Sequence, residues 1–163
     1  MLKHILMLIF MLNSYAVADE VVIENNQLKL SQPLSFATQT EELLPDNKAT
    51  IEQIKAFLEK KSYISTVRIE GHVNTFNDEQ KNLLLSAERG LEVAKALVEA
   101  GVDCKRLLIS AFGSSKPIAV NSTPEGKAAN NRVDLFVAAL RGRAIGGMLL
   151  EGVGQRVGDA CAK

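Results

Sequence analysis

Two short stretches carry the side chains best suited to holding a ligand. "IEGHVNTFN", residues 69–77, ends an alternating pattern at Gly71-His72 and follows it with short polar residues, Asn74 and Thr75. "NLLLSAERG", residues 82–90, places Asn82, Ser86 and Arg89 four and then three positions apart, which is one row of a helix. A guanidinium offers paired N–H donors that fit a carboxylate, while amides and hydroxyls orient what lies beside it. This is recognition chemistry. A chain with two histidines and no Gly-x-Ser-x-Gly stretch assembles no catalytic constellation, so an enzyme is not expected. Cys104, Cys161 and His72 have no zinc-site spacing, and neither a metal nor a cofactor is expected.

The formal net charge is +0, so no large basic field exists to attract nucleic acid or an anionic membrane. At 163 residues, 47% apolar and 23% charged, the chain suits one globular domain. Lys3, the apolar run Ile5 to Leu12 and Ala16-Val17-Ala18 have the layout of a cleavable export signal over residues 1–18. The run is too short to span a bilayer, which needs about 20 apolar residues. With no cysteine near Ala18, the expectation is a mature chain starting at Asp19, periplasmic and associated with the outer membrane, that is not a lipoprotein. An oxidising compartment permits a Cys104–Cys161 bridge, and two thiols that never meet are the alternative.

The elements that must position the two stretches follow from periodicity. Residues 19–33 form a polar lead with room for an edge strand, and Leu34-Ser35-Phe36 begins the first strand. Ile51, Ile54, Phe57 and Leu58 make Lys48 to Lys60 an amphipathic helix. Thr66 to His72 alternates, with Val67 and Ile69 inward and Arg68 and Glu70 outward, as in a strand covered on one face. A second helix from Asn82 to Ala100 stops at Gly101 and buries Leu83, Ala87, Gly90, Leu91, Ala94, Leu97 and Val98. Asn82, Ser86 and Arg89 lie at the border of that stripe. Strands at Leu107 to Phe112 and Arg132 to Ala138, joined by a loop, complete an α/β (α+β) two-layer sandwich, a mixed four-stranded sheet with two main helices on one face.

At these residues the chain resembles the OmpA-like peptidoglycan-binding domain shared by outer-membrane proteins, peptidoglycan-associated lipoproteins and flagellar stator proteins. The likeness covers about residues 34–138, in a domain taken as 34–140. "LSFATQTEELLP" stands at the first strand, "VRIEGHVN" at the strand that the family ends in Gly-His-Thr-Asp, and "NLLLSAERG" at its Asn-x-x-Leu-Ser-x-x-Arg-Ala helix. "LLISAFGSSKPIA" and "EGKAANNRVDLFV" follow in register with its later motifs.

The resemblance implies a pocket for the diaminopimelate of the peptidoglycan stem peptide, whose ammonium meets a carboxylate and whose carboxylate meets an arginine. The residues it assigns are Asn74, Asn82, Ser86, Arg89 and Arg132. Asn74 replaces the family's aspartate and weakens the grip on the ammonium, unless Asp78 folds back to substitute. Asn131 replaces the first arginine of the family's pair. Two functions follow: noncovalent anchoring of an envelope assembly to peptidoglycan, or a degenerate structural subunit of a secretion-system or other outer-membrane complex with little wall binding. The Gly-rich tail, 141–163, lies beyond the likeness. It is expected either to dock on a partner through Ile145, Met148, Leu149 and Leu150 or to be unstructured.

Overall fold

The computed structural model describes residues 21–145, 155–156 and 160–162. The proposed export signal at 1–18 lies outside them, as do Met148, Leu149 and Leu150 of the tail.

Among the described residues the sheet runs β1-β2-β5-β3-β4-β7, with β6 pairing β5. β1 (Val22–Glu24) and β2 (Gln27–Lys29) form a hairpin whose turn residues, Asn25 and Asn26, both have positive φ (50° and 64°). Asparagine tolerates that region, and such a turn matches the twist of paired strands. β3 (Ile64–His72) is central, parallel to β4 (Leu107–Ala111) and antiparallel to β5 (Arg132–Leu140). β6 (Arg143–Ala144) turns back on β5, and β7 (Gln155–Arg156) pairs β4 at the far edge.

Helix α1 (Lys48–Lys60) buries Ile51, Ile54, Phe57 and Leu58, and α2 (Glu79–Ala100) buries Val93, Ala94 and Leu97. Both pack into one apolar cluster with Val67, Ile69, Ile109, Val133, Leu135 and Val137 from the sheet. The expected two-layer α/β sandwich with a mixed sheet is therefore the fold, with seven strands among the described residues where four were expected. Gly101 ends α2 at φ 111° and donates its N–H to the Leu97 and Val98 carbonyls.

Three local expectations are corrected. Leu34–Phe36 is not a sheet strand, because Phe36 makes only an isolated bridge to Leu43 within a loop that folds on itself. Buried Asn47 closes that loop: Ser35 N–H donates to its Oδ1 at 2.8 Å, and its Nδ2 donates to the Ser35 and Leu44 carbonyls. The segment read as a loop before β5 contains a short helix, α3 (Pro124–Asn130), capped by Thr123 Oγ1 accepting from Gly126 N–H. Finally, β3 is covered on both faces, with Arg68, Glu70 and His72 all under 8% exposed. Alternation distinguishes two faces of a strand without saying that the polar one is wet.

Candidate functional site

A cleft of about 840 Å³ opens between the β2 hairpin, the 33–39 loop, α2 and the α3–β5 junction. Its wall includes Phe36, Thr75, Arg89, Asn131, Arg132 and Asp134. The chain reaches this geometry because α2 lies close on β3. A Cβ built on Gly71 would sit 1.8 Å from the Ser86 carbonyl oxygen, so only glycine permits the approach.

The row Asn82, Ser86, Arg89 is buried and continues into Val93 and Leu97, so it is the middle of the buried face and not its border. The stripe read from the sequence is rotated accordingly, and Leu83, Leu91 and Val98 are only half-buried. The reason is that the N-terminal half of α2 meets polar loops, which bury polar side chains by bonding them. Asn82 Oδ1 accepts from Thr75 N–H (3.2 Å) and Phe76 N–H (3.0 Å), and its Nδ2 donates to the Phe76 carbonyl at 2.7 Å. Ser86 Oγ donates to the Leu83 carbonyl and accepts from Gly113 N–H. These two residues hold loops, and neither lines the cleft.

Arg89 does line it, at 5% exposure. Its Nε donates to the Thr40 carbonyl at 2.9 Å, and the guanidinium carbon sits 4.8 Å from the Phe36 ring centroid. Burial holds its pKa below the ordinary arginine value, with the Glu41 charge opposing that shift. Among the described residues its Nη groups make no hydrogen bond.

Asn74 is half-buried, and Asn131 Oδ1 accepts from its backbone N–H (2.8 Å) and from Thr75 Oγ1 (3.1 Å). Asn131 thus bolts the β3–α2 turn to the start of β5. Asp78 does not fold back toward the turn's carboxylate position, because its Oδ1 caps α2, accepting from Gln80 and Lys81 N–H. Arg132 Nε donates to Asp134 Oδ2 at 2.8 Å, and its Nη2 to the Lys116 carbonyl. Gln27 Nε2 takes the other Asp134 oxygen at 3.0 Å.

Behind this wall a charged ladder fills the second face of the sheet. Arg68 ion-pairs with Glu70, and Lys116 Nζ lies 3.8 Å from Glu70 Oε2. His72 Nε2 lies 3.6 Å from Glu70 Oε2 and 3.7 Å from Asp134 Oδ2, while its ring stacks on Phe112. Burial pushes the Glu70 carboxyl up, but the His72 contact and the Arg68 and Lys116 charges bring it net below its ordinary value. His72 is the last residue of β3, and neither ring nitrogen is hydrogen-bonded among the described residues. Phe36 and Asp134 were missed as wall residues, because one lies in a loop and the other on β5, and only the folded chain brings them together. No group of histidine, cysteine and carboxylate side chains able to hold a metal occurs among the described residues. Cys104 and Cys161 are disulfide-bonded.

Residues 35–132 match the family model described as the OmpA family. The chain belongs to the OmpA family. Its OmpA-family relatives include the outer-membrane lipoprotein YfiB of Pseudomonas aeruginosa, 34% identical over 71% of this chain and 68% of YfiB. The probable lipoprotein YiaD of Escherichia coli is 33% identical over 72% of this chain and 53% of YiaD. The peptidoglycan-binding protein ArfA of Mycobacterium tuberculosis is 34% identical over 64% of this chain and 32% of ArfA. The chain therefore spans about half of YiaD and about a third of ArfA. Among solved structures, the C-terminal domain of Helicobacter pylori MotB superposes with a TM-score of 0.59 at 29% identity, covering 64% of this chain and 82% of that one.

One expectation is overturned here. The reading that the chain is not a lipoprotein conflicts with YfiB and YiaD, two OmpA-family relatives that are named lipoproteins.

Proposed function

We propose that this OmpA-family chain is a periplasmic, non-enzymatic binding module that holds an envelope assembly to peptidoglycan without a covalent bond. The cleft takes the diaminopimelate end of a stem peptide, with Arg89 receiving its carboxylate. The observation that carries this reading is Arg89, buried in the cleft wall, braced by Thr40 and Phe36, with no hydrogen bond at either Nη among the described residues. The name of ArfA, a peptidoglycan-binding relative, supports the ligand class. Arg132 lies on the same wall as a second cation, already bonded to Asp134. Asn82 and Ser86 serve by holding the turn and the loop, and Asn74 offers the ligand's nitrogen a neutral amide. A charged partner is worth roughly 1.5–3 kcal/mol against about 1 for a neutral one, so the grip on an ammonium is weaker by about tenfold.

A second reading is favoured by Asn74 itself: a structural subunit of a secretion-system or other outer-membrane complex that has given up the wall. Cosedimentation of the protein with purified sacculi separates the two. Binding that Arg89→Ala abolishes supports the anchor, whereas absence of binding, gained on Asn74→Asp, supports the subunit.

A further inference from the structure

We propose that the cleft prefers a stem-peptide ligand whose distal amine is acylated, as it is wherever a wall cross-link has formed on it, over the same ligand with a free ammonium. The inference rests on the wall-binding reading above and names the form of the ligand.

The first observation is the charge of the cleft. Its wall carries three cations, Lys29, Arg89 and Arg132, against one carboxylate, Asp134. That carboxylate is already engaged, with Arg132 on one oxygen and Gln27 on the other, and its charge is matched by Arg132. Asp78, the acid nearest in sequence to the turn, caps α2 through Oδ1, is exposed and is not part of the wall. Glu41 supports the charge of Arg89 but is exposed and is not part of the wall. A free ammonium would therefore lose water next to positive charge without gaining an anionic partner, an unfavourable exchange. Acylation removes the charge and leaves a single N–H donor. That donor suits a neutral acceptor on the wall, the Thr75 hydroxyl oxygen, next to Asn74 in the turn.

The second observation is room. At about 840 Å³ the cleft has the volume of sites that take drug-sized ligands and exceeds what one amino-acid end requires. Its wall also includes the apolar side chains Leu30, Pro33, Ile118 and Ala128, which suit the methyl-bearing acyl group of a cross-linking residue. The missing anionic partner and the room in the cleft are independent features: the first disfavours the free amine, and the second leaves space for an acyl group.

Isothermal titration with two synthetic tripeptide stems ending in diaminopimelate, one with the distal amine free and one with it acetylated, tests the inference. The wild-type protein should bind the acetylated stem about threefold to tenfold more tightly. Asn74→Asp should reverse that order, and Arg89→Ala should weaken both. Equal or tighter wild-type binding of the free amine, with Arg89→Ala still weakening it, overturns the inference while leaving the wall-binding reading intact. Binding of neither stem by the wild type overturns that reading and the inference with it.

Discussion

At the scale of single residues, the site separates side chains that face a ligand from side chains that hold the frame. Arg89 is of the first kind, because it lines the cleft and its Nε is committed to Thr40 while its Nη groups make no hydrogen bond among the described residues. Arg89→Ala should lower affinity for peptidoglycan by about tenfold or more, the worth of a charge-assisted contact, as read by sacculus binding. Arg89→Lys should not rescue it, since an ammonium lacks the paired donors. Asn131 is of the second kind. Removing its amide leaves Asn74 N–H and Thr75 Oγ1 without their shared acceptor. Asn131→Ala should cost about 1–3 kcal/mol in denaturant unfolding. Asp78→Ala offers a cleaner contrast: as a cap it should cost about 1 kcal/mol of stability and leave affinity unchanged. A loss of sacculus binding without a loss of stability would make Asp78 a ligand group instead.

At the scale of elements, the contact of α2 with β3 fixes the distance between the turn and Arg89. Gly71→Ala places a methyl group into the Ser86 carbonyl and should destabilise by about 3 kcal/mol, seen as a lowered melting temperature. The buried ladder on β3 gives the sheet its response to acid. The Glu70 pKa is lower in the folded chain than its ordinary value of 4.5, so the folded state favours the charged form. Its stabilisation is complete above that ordinary value and is lost as pH falls through the lower, folded one. Unfolding free energy measured from neutral pH downward should fall in this acid window, and Glu70→Gln should flatten that fall. The same substitution should cost about 3–5 kcal/mol at neutral pH, because it leaves Arg68 buried without its anion.

At the scale of the whole molecule, much of the architecture was legible because periodicity and end signals agree. Ile51, Ile54, Phe57 and Leu58 mark α1, Gly101 ends α2, and the alternation of Val133, Leu135 and Val137 marks β5. What escaped depended on partners distant in the chain. The Asn25-Asn26 turn is a hairpin signal only when β5 stands ready to receive β2, and Leu34–Phe36 has strand-like composition yet folds into a loop closed by Asn47. Arg89 could be singled out from helical spacing, whereas the wall it shares with Phe36 and Asp134 requires the fold. The Cys104–Cys161 bridge, 57 residues apart, ties the last described residues to the start of β4. Reduction should lower stability by about 4 kcal/mol on chain-entropy grounds, checked by melting with and without reductant. The central claim is that this fold presents a working carboxylate clamp despite Asn74. Cosedimentation with purified sacculi, comparing wild type with Arg89→Ala, tests it most directly. The account predicts that the wild type sediments and Arg89→Ala stays in solution; equal behaviour of the two proteins, bound or free, would contradict it.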